Sequence, residues 1–154
     1  MEKKRVSCGV LVFNERRELF VAHVTGQDWW DIPKGLLDAG EEPLCAAIRE
    51  AREEAGLELQ AAALKDLGRL PYLPQKDLHL FVTTWPYPTL DLAFCHCSSF
   101  FECKKTGQDR PEVDAYKWIA IDAIPDHCGK YLTKLLFERL NLATAPEQLI
   151  PEMA

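Results

Sequence analysis

The sequence predicts a mixed α/β fold in a single domain, on three observations. Short strand-like apolar runs recur along the chain, one segment near the middle carries a helical apolar period, and a second such segment lies near the C-terminus. With 154 residues the chain suits one domain spanning 1–154, large enough to bury a core without disulfide staples.

Taken in order, "RVSCGVLVF" and "ELFVAHV" read as two strands of a hairpin joined by the polar turn "NERR". "QDWWDIPKG" reads as a loop or short strand, broken by Pro33 and Gly35. From Glu42 to Ala55 the period is helical, with Leu44, Ala47, Ile48, Ala51 and Ala55 forming one narrow apolar stripe. Pro43 suits the first helical position and Gly56 the C-terminal cap. Further strands are expected around "LHLFVTTW", "AFCHCSSFFEC" and "AYKWIAI". Asp126 is expected to cap a last helix at about 127–141, whose buried face is Tyr131, Leu132, Leu135, Leu136 and Leu140. "PYLPQKD" and "KKTGQDRPEVD" read as polar, proline-containing loops of the kind that carry sites.

Composition narrows the function classes. Apolar residues make up 47% and charged residues 27%, which is globular rather than disordered. The net charge of -6 argues against general nucleic-acid binding and against a membrane surface, since both want a basic field. A phosphate-rich ligand here needs local cations or metal ions to offset that charge. The six cysteines show no secreted disulfide framework, the N-terminal stretch has no apolar signal region, and no run approaches a membrane span. The expectation is a reduced, cytoplasmic protein with neither disulfide nor zinc.

Glu50, Glu53 and Glu54 then pose the functional question. At i,i+3 and i,i+4 spacing they share one helix face, where like charges cost stability. Taken alone, "REAREEAG" is an ordinary amphipathic surface that Arg49 and Arg52 soften. Its surroundings argue otherwise. The loop "PKGLLDAGE" precedes the helix closely, and its carbonyls add oxygen donors to a face that suits a magnesium ion shared with phosphates.

Gly35, five residues, Glu41, seven residues and then Arg49-Glu50-Ala51-Arg52-Glu53-Glu54-Ala55-Gly56-Leu57 resembles the Nudix box, at 35–57, with every fixed glycine, glutamate and arginine present. Ala51 stands where a larger aliphatic residue is commoner, a matter of packing. The hairpin before the box and "PEVDAYKWIAIDAIP" after it fit the same family layout. The resemblance implies an α/β/α sandwich with a mixed central sheet. It also implies metal-dependent cleavage of a phosphoanhydride in a nucleoside diphosphate linked to another moiety, with Mg2+ as the ion and Mn2+ as a substitute.

By that resemblance Glu50 and Glu54 look like direct metal ligands, with the Gly35 carbonyl beside them and Glu53 close by. Glu53 is the first choice of general base and Glu50 the competing one. Arg49 holds the carboxylates by ion pairing, and Glu41 braces the loop. Glu112, six residues before Trp118, stands where some relatives place an outlying metal ligand; a solvated loop glutamate is the alternative. Glu54 is expected to face solvent, so that a glutamine there leaves the fold intact.

Lys34 and Lys76 are candidate phosphate contacts, with a plain surface lysine the alternative for Lys76. Tyr72, Trp29 and Trp30 are candidate base-stacking rings, although Trp30 also suits the core and Trp29 a shielding role. The cysteine-rich insertion at 86–107 receives no functional residue. A zinc site at Cys95, His96 and Cys97 is disfavoured, because on a strand His96 points away from the two cysteines and no second ligand pair is spaced for it.

The function expected is therefore an active hydrolase with a small-molecule nucleotide or other diphosphate substrate. A nucleotide-sensing module without catalysis and an interaction protein using the insertion are the alternatives. Lys34 before Gly35 is similar to the pattern of Nudix hydrolases acting on dinucleoside polyphosphates, diphosphoinositol phosphates or capped RNA ends, all of which carry long phosphate chains. Dinucleoside polyphosphates such as diadenosine tetraphosphate come first among substrates, ahead of ADP-ribose and nucleoside triphosphates. RNA drops, because the chain is acidic and shows no basic stripe.

Overall fold

The computed structural model describes residues 4–85 and 92–152. Its first strand, β1 (Arg5–Phe13), turns at Asn14 into β2 (Leu19–Val24). The Asn14 side-chain oxygen accepts the backbone N–H groups of Arg16 and Glu18 at 2.9 and 3.1 Å, which closes the hairpin. Two short strands follow, β3 (Trp30–Asp31) and β4 (Lys34–Leu36), and then helix α1 (Pro43–Ala55). Beyond it come the hairpin β5 (Lys65–Leu73) and β6 (Lys76–Thr84), the hairpin β7 (Phe100–Glu102) and β8 (Asp109–Pro111), and β9 (Val113–Ile119). Helices α2 (Ile124–His127), α3 (Lys130–Lys134) and α4 (Pro146–Leu149) end the described chain.

The main sheet is mixed. β1 runs parallel to β6 from Arg5↔Lys76 to Phe13↔Thr84, while β5 flanks β6 and β9 flanks β2, both antiparallel. β1 and β2 pair only at Phe13↔Leu19. Away from that point β2 pairs with β3, and β1 pairs with β4 at Ser7↔Leu36, Cys8↔Gly35 and Gly9↔Lys34. Residues 30–36 thus pass from one strand to the other where the sheet opens, which sets Gly35 beside β1 and under α1.

Alternation along β1 builds both layers of the core. Leu11 and Phe13 join Leu19, Leu78 and Leu80 against Leu132, Leu135 and Leu136 of the C-terminal region. Cys8, Val10 and Val12 join Phe20 and Phe81 against Ala46, Ala47, Ala51 and Ala55 of α1. The small side chains at Ala47 and Ala51 let the helix lie close on the sheet. Helices on both faces of a mixed sheet make the α/β/α sandwich expected.

Several expectations are corrected. "PYLPQKD" is no loop: Pro71–Leu73 ends β5, only Pro74 and Gln75 separate it from Lys76, and β5 shows no clean alternation in sequence because register shifts near Gly68 and Pro71 break its pattern. "KKTGQDRPEVD" contains β8 and the start of β9. Of "AFCHCSSFFEC" only Phe100–Glu102 is strand; Leu92–Phe94 is a 3-10 turn and 95–99 belong to no regular element. The argument that a strand parts Cys95 and Cys97 from His96 therefore loses its premise. The rest of the insertion, 86–91, lies outside the described residues.

The last helix is also broken. α2 ends before Gly129, α3 begins after it, and Leu135–Arg139 continues as a π-type turn. Asp126 lies inside α2 rather than capping a helix, and Tyr131 is exposed at 42% rather than buried. Leu132, Leu135 and Leu136 keep the buried face.

Candidate active site

Helix α1 begins where expected, with Pro43 in its first turn, and ends on Gly56 at φ 71°, a left-handed conformation that suits glycine. The face towards β4 carries Glu50 and Glu54, only 7% and 8% exposed. The expectation that Glu54 faces solvent is thus corrected: burying Ala47, Ala51 and Ala55 against the sheet turns the adjacent Glu50–Glu54 ridge under the 34–36 backbone. The Glu53 side chain stays 38% exposed.

Two contacts lock this ridge to the loop. A Cβ on Gly35 would coincide with the Glu50 carboxylate, so only glycine allows so close an approach. The Lys34 N–H donates to Glu54 Oε1 at 2.9 Å. The Arg49 guanidinium does the rest of the bracing. Its Nε donates to Glu41 Oε2 at 2.9 Å and its Nη2 to Glu41 Oε1 at 3.0 Å, a bidentate fork. Its Nη2 also reaches the Leu36 carbonyl at 3.1 Å. Its Nη1 donates to Glu50 Oε1 at 2.8 Å and to Glu53 Oε2 at 3.2 Å. The geometry of Arg49 and Glu41 is the bracing arrangement expected of them.

Charge is unevenly compensated across this network. Glu41 is held below the usual carboxylate range by its hydrogen bond from Arg49. Burial raises Glu50 despite Arg49, and Glu53 and Glu112 add to the rise. Glu54 is pushed up to about 9, chiefly by burial, with the Lys34 N–H opposing and Glu50 and Glu112 reinforcing. The negative charge of Glu112 is therefore felt at both buried carboxylates.

A cavity of about 460 Å³ opens over Glu54 and Glu112, with Asp31, Lys34, Trp29 and Phe101 also in its lining. Glu50 and Glu53 are not part of that lining. Tyr72 lines a neighbouring cavity of about 440 Å³ that shares Trp29 and Asp31 with the first. Lys76 lines neither; its ammonium is lowered by burial and by repulsion from Lys34. The Lys34 ammonium pairs with Asp31 Oδ2 at 3.0 Å. Burial, the largest single influence, lowers it, but Asp31, Tyr72 and Glu54 together hold it above its usual range. Trp30 packs on the core with Lys117 4.3 Å over its ring, which favours anchoring over stacking.

Among the described residues, no three acidic, histidine or cysteine side chains already converge to ligate an ion. The donor set nevertheless suits a hard divalent cation. Two buried carboxylates, raised by their own burial, lie beneath a glycine backbone and beside a third acid that shares a cavity with one of them. Adding positive charge there relieves the burial cost that raises them.

The sequence missed how the insertion seats on the same helix. The Ser98 N–H donates to the Glu53 carbonyl at 2.7 Å, the His96 N–H to the Ala55 carbonyl at 3.2 Å, and the Tyr116 hydroxyl to the Glu54 carbonyl at 2.6 Å. The His96 ring lies so close over Gly56 that a Cβ there would clash. These bonds satisfy carbonyls that a helix end leaves open. No local pattern announces them, since the partners are far apart in the chain.

Comparison with known proteins agrees with this layout. The family model described as NUDIX domain matches residues 3–138. An uncharacterized 17.7 kDa protein of Enterobacteria phage T4 is 37% identical over 128 residues, covering 77% of this chain and 84% of its own. An RNA pyrophosphohydrolase of Rhodospirillum rubrum is 31% identical, covering 78% and 74%. Among solved structures, an Ap4A hydrolase of C. elegans in a binary complex superposes with a TM-score of 0.62 at 20% identity, over 89% of this chain and 97% of its own. A MutT protein of Methanosarcina mazei gives 0.63 at 20% identity, over 92% and 96%. Among the described residues, no helix is long and apolar enough to cross a membrane.

Proposed function

The chain belongs to the Nudix family and is a pyrophosphohydrolase of nucleotide-linked phosphoanhydrides, and on that premise we propose that it is a magnesium-dependent hydrolase of dinucleoside polyphosphates. The observation that carries the metal site is the buried Glu50–Glu54 pair under Gly35, with Glu112 across the cavity. Glu50, Glu54, Glu112 and the Gly35 carbonyl are the proposed ligands, with Glu53 beside them, and Mn2+ serves in place of Mg2+. When bound, the ion neutralises phosphate charge and makes a bound water more acidic.

The chain's own groups do the positioning. Glu53 is the proposed general base: it is the half-exposed carboxylate of the three, and Arg49 holds it at 3.2 Å without burying it. Glu50, locked between Gly35 and Arg49, is the competing assignment. Asp31 holds the Lys34 ammonium at the cavity wall, where it faces phosphate oxygens as a point charge. Tyr72 stands in the adjoining cavity as a ring for the second nucleoside, and Lys76 adds its charge from nearby. Six free cysteines suit a reducing compartment, and the cytoplasm is the proposed location.

A second reading, 5′-triphosphorylated RNA, is supported by the relatives named RNA pyrophosphohydrolase. The acidic balance of the chain weighs against it. The test is hydrolysis at equal concentration of diadenosine tetraphosphate, ADP-ribose, the nucleoside triphosphates and a 5′-triphosphorylated oligoribonucleotide, with Mg2+, with Mn2+ and with EDTA. Diadenosine tetraphosphate is expected to be cleaved fastest and EDTA to stop all cleavage. Activity in EDTA sinks the metal assignment, and preference for the oligonucleotide sinks the substrate assignment.

A further inference from the structure

The cavity over Glu54 and Glu112 has one feature that phosphate chemistry leaves unexplained: two large aromatic side chains in its lining. Trp29, from the turn before β3, is 42% exposed, and Phe101, from β7 in the insertion, is 39% exposed. On β7 successive side chains point to opposite faces, so Phe101 turns to the cavity while Phe100 does not line it.

The hairpin that carries Phe101 is tied down. Phe101 pairs across it with Arg110, whose guanidinium reaches the turn at Gly26, 3.9 Å from where a Cβ would stand. At its root the Glu112 N–H donates to the Ser99 carbonyl at 2.9 Å, and the Thr25 N–H donates to the Glu112 carbonyl at 3.1 Å. Phe101 is therefore held on the same framework as Glu112 and the loop that ends in Trp29. The wall between them also holds Thr25, whose buried hydroxyl has no hydrogen-bond partner among the described residues.

We infer that the base of the substrate nucleotide stacks between Trp29 and Phe101, so that the cysteine-rich insertion supplies one face of the base site. This rests on the hydrolase reading above, which sets the phosphates at Glu54 and Glu112 in the same cavity. A space of about 460 Å³ suits a nucleotide-sized ligand. Aromatic faces left open to water gain most from a planar ring, and stacking accepts any base.

The test reads binding rather than turnover. AMP, GMP, CMP and UMP are titrated into the full chain with tryptophan fluorescence and calorimetry as readouts, and ribose 5-phosphate serves as the control without a ring. At least one nucleotide is expected to bind tighter than ribose 5-phosphate by roughly 5- to 100-fold, the range that stacking one base accounts for. That advantage should collapse in Phe101→Ala and in Trp29→Leu and return in Phe101→Tyr, with circular dichroism confirming that each variant is folded. Where a cleaved substrate is in hand, the Phe101→Ala loss should fall on KM. The inference is overturned if no nucleotide binds better than ribose 5-phosphate, or if Phe101→Ala keeps the wild-type advantage. A chain that stacks bases through these rings but cleaves no anhydride refutes the hydrolase reading and leaves the base site standing. One that hydrolyses while indifferent to both rings refutes the base site alone.

Discussion

The two sides of helix α1 solve the burial of charge in opposite ways. On the Arg49 side, one guanidinium serves Glu41, Glu50, Glu53 and the Leu36 carbonyl, every contact between 2.8 and 3.2 Å, and the group stays in partial contact with water. On the Glu54 side, a carboxylate that is 8% exposed receives one backbone N–H and faces the like charges of Glu50 and Glu112. The first arrangement braces a loop. The second carries a cost that the Lys34 N–H and ammonium offset only in part, which is the condition under which a bound cation gains most. Satisfied charge braces the loop in this protein, and under-compensated charge at Glu54 is what the proposed metal site is built on.

Four substitutions break or sharpen that contrast. The largest effect belongs to Glu54→Gln. Glutamine keeps an oxygen for the Lys34 N–H but removes the charge, so hydrolysis should fall by roughly two orders of magnitude or more. In the same variant the metal-free melting temperature should hold or rise at neutral pH, because glutamine is buried as it stands whereas Glu54, raised to about 9, must first take up a proton. Thermal melts in EDTA beside initial rates in Mg2+ check both halves; wild-type rates in the variant would remove Glu54 from the metal site.

Next comes Gly35→Ala. Its methyl group overlaps the Glu50 carboxylate, so the loop and helix must part. The expected cost is about 1–3 kcal/mol of stability, as for overpacking elsewhere, with activity reduced as well. Retention of full activity at an unchanged melting temperature would show that the 34–36 backbone need not approach Glu50.

Arg49→Lys tests the braced side. Lysine keeps a charge but not the fork that spans Glu41 and Leu36, and the loss should be about 1–2 kcal/mol, or a few degrees in melting temperature. Double-mutant cycles with Glu41→Gln should show coupling between the two sites, and additive effects would deny the brace.

The smallest change is Tyr116→Phe. It removes the 2.6 Å bond to the Glu54 carbonyl at the helix end, worth about 1 kcal/mol in denaturant unfolding, with hydrolysis little altered. A collapse of activity would mean that the helix C-terminus, and not only its carboxylate face, is tuned from β9.

Much of this was legible in the chain itself. Pro43, the alanine stripe and Gly56 delimit α1, and their signals are local: a ring that suits the first turn, a period of 3.6 and a residue free to take φ 71°. β1, β2 and β6 announce themselves by continuous apolar runs. β5 does not, because an edge strand that shifts register around Gly68 and Pro71 carries no clean alternation. The insertion misled in the other direction. Its apolar residues resemble a strand, yet the backbone of His96 and Ser98 bonds to helix carbonyls instead of a ladder.

The sequence by itself determined the helix, its three glutamates, the glycine that lets the loop approach and the arginine that braces them, because each follows from short-range spacing and residue type. Tertiary structure alone decided that Glu50 and Glu54 are buried while Glu53 keeps contact with water, and that Asp31 takes the Lys34 ammonium. It also decided that Tyr72 lies one cavity away and that Phe101, some fifty residues beyond the helix, lines the cavity over Glu54. Burial and charge compensation depend on what the rest of the chain brings within a few ångströms, and spacing along one segment carries no record of it.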